Sequence, residues 1–139
     1  MKLSRTVVYA VQATLQLAEV QSALPVPCSR LAHDGKMPER FLLQILRNLV
    51  NHGILNSTRG VDGGYSLGRK PHDISLLDII EAIDGPYAAE LPSADGAEAK
   101  RHQLRLREAL DLVAVSAKRQ LAAIKLADLL GSGHFAKLA

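Results

Sequence analysis

The chain has 139 residues, a formal net charge of +3, one cysteine and no tryptophan, with 47% of residues hydrophobic and 22% charged. That length favours one domain with room for an appended oligomerisation element, and it buries enough surface to fold without disulfides or a structural metal. The composition excludes intrinsic disorder, and the single Cys28 excludes an intrachain disulfide and points to a reducing compartment.

The opening segment, "MKLSRTVVYAVQATLQLA", mimics a secretory signal, with Lys2 and Arg5 ahead of an apolar stretch. Gln12, Thr14 and Gln16 interrupt that stretch at helical spacing and no clear cleavage site follows, so it reads as an amphipathic first helix. Ser4 is its N-cap, and Val7, Val11, Leu15 and Ala18 form its apolar repeat. No run nears the roughly 18 apolar residues that span a bilayer, so a cytoplasmic protein without membrane contact is expected. "LPVPC" (24–28) is a Pro-broken connection. A short second helix, starting at Cys28 or Ser29, carries Leu31 and Ala32 inward, and in "DGK" (34–36) Gly35 is expected to take the left-handed conformation that ends it.

Pro38 suits the first position of a third helix, with Glu39 favourable against its N-terminal dipole. Leu42, Ile45, Leu46 and Leu49 make its apolar face, while Arg40, Gln44, Arg47 and Asn51 fall on the opposite side. Gly53 stops the helix, and Ile54–Leu55 begins an extended segment. In "STRGVDGGYSLGR" (57–69) the adjacent Gly63 and Gly64 predict the tip of a tight hairpin with an arginine on each arm. Two short helices around a Gly-containing turn, followed by a hairpin, form a winged helix-turn-helix pattern. Arg59 and Arg69 are placed for phosphates or a narrow minor groove while the third helix enters the major groove.

From Ser75 the pattern is helical again. "SLLD" resembles a capping box, Leu76, Leu77, Ile79, Ile80 and Ile83 supply a buried side, and Gly85–Pro86 closes the helix. Residues 86–97 read as a loop. A long helix is predicted from Glu98 to Ala122, with Leu106, Leu110, Val113, Ala117, Leu121 and Ile124 as a stripe; roughly 25 helical residues span about 38 Å. Pairing with a second copy is the economical way to bury that stripe. "LADLL" (126–130) reads as a last short helix before a frayed tail to Ala139. The organisation is therefore mainly α (α+β): a DNA-binding unit over 1–85, a loop over 86–97 and a dimerisation segment over 98–139. Residues 1–70 hold nine Lys/Arg against four acids, and residues 71–139 hold eight against ten, so the first half suits a polyanion.

These segments, with "PVPCSRLAHDGKMPERFLLQILRNLVNHGIL" and "ISLLDIIEAIDG", closely resemble the Rrf-two family of bacterial transcriptional regulators, the IscR, NsrR and CymR group, over residues 1–85. The R-G-x-x-G-G-Y pattern on the wing, at the right distance from the helix-turn-helix, makes the resemblance specific. It implies a homodimeric winged-helix regulator, a repressor or an activator, with double-stranded DNA as partner. Pro38, Glu39, Arg40, Gln44 and Arg47 fall at DNA-facing positions of the recognition helix. Arg59, Gly60, Gly63, Gly64 and Arg69 belong to the wing. Ser4, Arg5 and Tyr9 match first-helix positions that touch phosphates. Many relatives have a glutamate where this chain has Leu43, which could pack on a thymine methyl but cannot accept from cytosine. Several members hold an iron–sulfur cluster with three cysteines in the loop before the long helix; residues 86–104 contain none, so a branch without cofactor or metal is expected.

Tyr65 reads as a packing residue anchoring the hairpin. Cys28 reads as a partly buried core residue rather than a redox switch, since the chain has no second thiol. His33 lies near a position where some relatives recruit a ligand, but no cysteines accompany it. His52, His72, His102 and His134 lack metal-binding spacing. No nucleophile–base pairing, P-loop or dinucleotide motif is present, so no enzyme is expected. A winged-helix protein-interaction module, or a sensor of an unidentified ligand, is the alternative to a DNA-binding regulator.

Overall fold

Ser4 starts the first helix as its sequence suggests: its hydroxyl accepts from the Val7 amide at 3.2 Å, and α1 runs Arg5–Glu19. The computed structural model describes residues 1–20 and 23–131. The expected frayed tail and His134 lie outside the described residues. After α1 come α2 (Cys28–Gly35), α3 (Glu39–Asn51), β1 (Leu55–Thr58), β2 (Gly64–Leu67), a single 3-10 turn (Pro71–Asp73), α4 (Leu76–Asp84), α5 (Ala97–Ala123) and α6 (Leu126–Leu130). The described residues are mostly helical, with one two-stranded antiparallel sheet among them forming the wing.

The buried face of α1 is Val7, Ala10, Ala13, Thr14 and Leu17. It sits beside the expected Val11–Leu15–Ala18 line because the small alanines let α1 approach its neighbours closely. Val11 and Leu15 are half-buried at the edge, where with Leu3, Val8, Leu76 and Leu129 they line an apolar groove of about 520 Å³. Thr14 is accommodated in the core because its hydroxyl donates to the Ala10 carbonyl at 2.7 Å.

The turn between α2 and α3 corrects one expectation. Lys36, not Gly35, takes the left-handed conformation, at φ 53° and ψ 49°. Gly35 is needed for space instead: a Cβ there would lie 2.7 Å from Met37 Cε and 2.8 Å from Gln12 Nε2. Its carbonyl accepts from that Gln12 amide at 2.9 Å, which ties α2 to α1. Pro38 is the N-cap of α3, one place before the helix, and Gly53 at φ +73° follows its end. On α3, Leu42, Ile45, Leu46 and Leu49 are buried as their spacing requires, and with Ile54, Leu55, Ile74 and Ile79 they form the centre of the core.

The hairpin pairs Leu55 with Leu67, Asn56 with Ser66, Ser57 with Tyr65 and Thr58 with Gly64. Gly64 therefore lies in β2 rather than at the tip. The turn is closed by the Gly63 amide donating to the Gly60 carbonyl at 3.0 Å, with Val61 fully exposed at its apex. The connection between α1 and α2 supplies a one-residue third strand, in which Val26 and Tyr65 exchange amide–carbonyl bonds at 2.9 and 2.8 Å. This bridge sets the wing against the helical body.

The capping box at Ser75 is present: its hydroxyl accepts from the Asp78 amide at 3.0 Å, and the Asp78 carboxylate accepts from the Ser75 amide at 2.9 Å. The loop before α5 lies along that helix, with Gln103 donating to the Pro92 carbonyl at 2.7 Å and Arg107 to that of Ala89 at 3.3 Å. α5 has 27 residues, about 40 Å of helix. Near its C-terminal end α5 packs on the body through Leu121, and just beyond the helix the Leu76 amide donates to Ile124 O and the Leu126 amide to Ile74 O, each at 2.8 Å.

Candidate nucleic-acid interface

α3 displays Arg40, Gln44, Arg47 and Asn51 at helical spacing, and all four are exposed. They face away from the buried Leu42–Ile45–Leu46–Leu49 side, so the amphipathic pattern that folds the helix also aims its cations outward. Glu39 is exposed in the first turn, and Pro38 is exposed as the N-cap. Leu43 is half-buried, so it presents less apolar surface than a free thymine contact would have.

Beside α3, the wing carries Arg59 at the start of its turn. Arg47 and Asn51 from α3 and Ser57, Thr58 and Arg59 from the wing line one cleft of about 510 Å³. Among the described residues, Arg40, Arg47 and Arg59 have no ion pair, whereas Arg30, Arg69 and Lys118 pair with Asp34, Asp78 and Glu81. Uncompensated guanidinium groups on one exposed surface are what a polyanion requires.

The glycines of the wing have distinct tasks. Gly60 holds φ +113° in the turn, and a Cβ on Gly63 would collide with the Thr58 carbonyl. Gly64 combines φ +151° with close approach to the Val26 backbone, so a side chain there would break the bridge that anchors the wing.

On α1, Arg5 is exposed, and Tyr9 meets the exposed Phe41 of α3 edge-on, with ring centroids 6.0 Å apart at 78°. Phe41 lies between Arg40 and the apolar face of α3, and nothing in that local spacing marks it for an aromatic pair with a residue of α1. Ser4 uses its hydroxyl as the cap of α1.

Three sequence-predicted site residues are placed differently from their expectation. Arg69 turns back onto α4, with Nη1 3.4 Å from both Asp78 Oδ2 and the Asp73 carbonyl, because the capping carboxylate of α4 lies beside the end of β2. Leu121 is buried at 6% exposure against Val7 and Ile80 of its own chain, so it is not free for a partner. Ile124 stands beyond the helix in extended conformation, half-buried at the junction with residues 74–76. The rest of the proposed dimer stripe is open: Leu106 and Val113 are exposed and Leu110 and Ala117 half-buried. Leu104, Leu112 and Val115 add a second exposed apolar side that the stripe did not include.

Cys28 lies at the start of α2 with its thiol 3.7 Å from the Glu39 carbonyl. Burial, and secondarily the Glu39 carboxylate, push its pKa up. It is therefore a protonated, poorly nucleophilic thiol near neutral pH.

Two helices around a tight turn, the second exposed along a cationic stripe and followed by an anchored hairpin, define a winged helix-turn-helix protein. The chain belongs to the Rrf2 family of transcriptional regulators, described as "Iron-dependent Transcriptional regulator", which it matches over residues 3–132. That family consists of regulators rather than enzymes. The chain is similar to a Mycobacterium tuberculosis H37Rv protein assigned to the HTH-type transcriptional regulators, 40% identical over 89 residues. This match covers 64% of this chain and 55% of that protein, so the chain spans about half the length of this curated relative. CymR of Bacillus subtilis is 32% identical over 111 residues, 79% of this chain and 80% of CymR. The solved structure of CymR, named there the global cysteine regulator of B. subtilis, superposes with a TM-score of 0.69 at 30% identity, covering 96% of this chain and 99% of that one. IscR of T. potens superposes with a TM-score of 0.66 at 29% identity, covering 100% of this chain and 93% of that one.

The family description names iron, and an iron centre needs several thiolate, imidazole or carboxylate donors converging on one point. Among the described residues no three His, Cys, Asp or Glu side chains do so. The loop before α5 has neither Cys nor His, and Cys28 sits at the α2–α3 contact. These residues do not fit such a centre. Among the described residues no helix is long and apolar enough to cross a membrane.

Proposed function

We propose that the protein is a cytoplasmic, sequence-specific DNA-binding repressor that acts as a homodimer on a pseudo-palindromic site and uses no iron–sulfur cluster. The observation that carries the reading is the unpaired set Arg40, Arg47 and Arg59, exposed beside Gln44 on the recognition helix and wing. Gln44 can read adenine in a major groove by a bidentate amide contact, while Arg59 suits phosphates or a narrow minor groove. Dimerisation is supported by the exposed apolar sides of α5 and by the apolar groove on α1, which a monomer leaves in water. A dimer occupying two adjacent turns of a promoter represses by excluding polymerase.

The test is selection from random duplex DNA, followed by titration of the enriched site at several salt concentrations. An enriched two-fold motif is expected, with log K falling by about 0.9 per phosphate neutralised. Arg59→Ala should weaken binding, by about 1–3 kcal/mol where Arg59 makes a specific groove contact, or lower the salt slope by about 1 where it meets a phosphate. No enriched motif, together with binding insensitive to salt, would overturn the reading.

A further inference from the structure

We infer that Gln12 and Gln16 of α1 are positioning residues for base reading: together they clamp the end of α2 and so fix where the recognition helix begins. The link to base reading rests on the DNA-binding reading above; the clamp itself does not. Gln12 Nε2 donates to the Gly35 carbonyl at 2.9 Å, and Gln16 Nε2 to the Leu31 carbonyl at 3.3 Å. The donors stand one turn apart on α1 and the acceptors one turn apart on α2, so each pair shares a helix face. The earlier donor meets the later acceptor, and sliding either helix along the other breaks both bonds. Apolar contact is non-directional, so these two bonds add a register that burial alone does not supply.

Only Lys36, Met37 and Pro38 separate the clamp from α3. Lys36 reverses the chain in the left-handed conformation, Met37 is buried, and Pro38 is the N-cap. The turn is itself bonded, the Lys36 amide to the His33 carbonyl at 3.3 Å and the Met37 amide to that of Ala32 at 2.9 Å. A shift of the Gly35 carbonyl therefore passes to the first turn of α3, and a helix entering a major groove reads base edges with its N-terminal residues. The make-up of the clamp favours orientation over stability. Both glutamines are half-buried, and Gln16 Oε1 is buried with no hydrogen-bond partner among the described residues. An orphaned acceptor costs stability, which a hydrocarbon of the same length on the apolar groove beside Val8, Leu15 and Leu76 would avoid. Gly35 is matched to the pair: it is helical, yet a Cβ there would stand 2.8 Å from Gln12 Nε2 and 3.1 Å from Gln16 Oε1. The missing side chain makes room for the two amides.

The experiment titrates two labelled duplexes, the selected site and an unrelated sequence, with the parent, Gln12→Met, the combined Gln12→Met and Gln16→Met, and Gly35→Ala. Urea denaturation and residual dipolar couplings of the free proteins accompany it. Met keeps the length of Gln without its donor, while Gly35→Ala drives the Gln12 amide off its acceptor and leaves both glutamines in the chain. Each variant is expected to bind the unrelated duplex as the parent does, with the same salt slope. The selected site should bind about 10-fold more weakly, the share of one loosened base contact. Water replaces the lost bonds at this half-buried edge, so the urea midpoint should change little, while the couplings report a changed angle between α3 and α1. Equal weakening of both duplexes would mean that the glutamines only support the fold and would overturn the inference, as would parent-like selectivity in all three variants. A parent that selects no duplex defeats the regulator reading alone. The clamp is then decided by the couplings, and an α3 angle identical in parent and variants overturns it.

Discussion

Gly64 sits where the wing meets the body, at φ +151° with the Val26 backbone against its Cα. An added methyl would have to move that backbone, because no flexible side chain lies there to yield. Gly64→Ala is therefore expected to lower stability by about 2–4 kcal/mol, from backbone strain and the loss of one or both Val26–Tyr65 bonds. Urea denaturation measures this, and DNA affinity should fall even at temperatures where the variant is folded, because the wing loses its fixed angle. Stability equal to the parent would show that the bridge does not hold the wing. At Cys28 the argument runs through protonation. Burial first, and Glu39 second, raise the pKa of the folded thiol above its unfolded value. Stability from the protonated thiol is thus fully present at neutral pH and is lost as pH rises through the folded value. Iodoacetamide should alkylate Cys28 more slowly at pH 7 than a free peptide cysteine, with the rate climbing only above the ordinary cysteine range. Glu39→Gln, which removes the smaller cause, should speed the reaction modestly, and a peptide-like rate in the parent would contradict the assignment.

Between β2 and α4 a single contact decides whether an arginine serves the fold or the ligand. Sequence places Arg59 and Arg69 symmetrically on the two arms of the hairpin, but Arg69 meets the carboxylate that caps α4 and Arg59 meets none. The Arg69–Asp78 pair is more than a third exposed, so screening limits it to about 0–1 kcal/mol. Arg69→Ala should therefore shift the melting temperature slightly and leave the salt slope of DNA binding unchanged, whereas Arg59→Ala should lower its magnitude by about one phosphate's worth. Equal slope changes in the two variants would return Arg69 to the interface. Periodic and capping signals were legible in the same way: Leu42, Ile45, Leu46 and Leu49 fold inward, and Ser75 with Asp78 closes a capping box. Other features were not. Lys36 has no chemistry that marks a left-handed residue, and Val26 forms a one-residue strand too short to show a period. The partner of Arg69 is fixed by the packing of α4 against the hairpin, which local spacing does not encode.

At the scale of the whole molecule, the pattern on α5 is ambiguous in a physical sense: an apolar repeat looks alike whether its own chain or a second copy covers it. The structure divides the stripe. Leu121 is covered by Val7 and Ile80, whereas Leu106 and Val113 remain 49% and 64% exposed. At about 100° per residue, Leu104 and Val115 fall on the other side of the same helix from Leu106 and Val113, with Leu112 on the flank between them. A helix apolar on two sides is enclosed on both in its working state, which suits an element clasped by a second copy better than one lying flat on a body. The two classes of residue should then respond in opposite ways. Leu121→Ala opens a cavity inside one chain and is expected to cost about 2–5 kcal/mol in unfolding, with little effect on association at temperatures where the chain stays folded. The double change Leu106→Ser and Val113→Ser removes apolar surface that lies about half or more in water in the single chain. If the chain pairs as proposed, the change should leave the fold of the isolated chain intact while shifting sedimentation from dimer to monomer; a parent that is itself monomeric would overturn the pairing. DNA affinity should drop with it, because each monomer engages a single half-site and neutralises half the phosphates, so the salt slope should fall to about half. A double variant that still sediments as a dimer would mean that association runs through another surface.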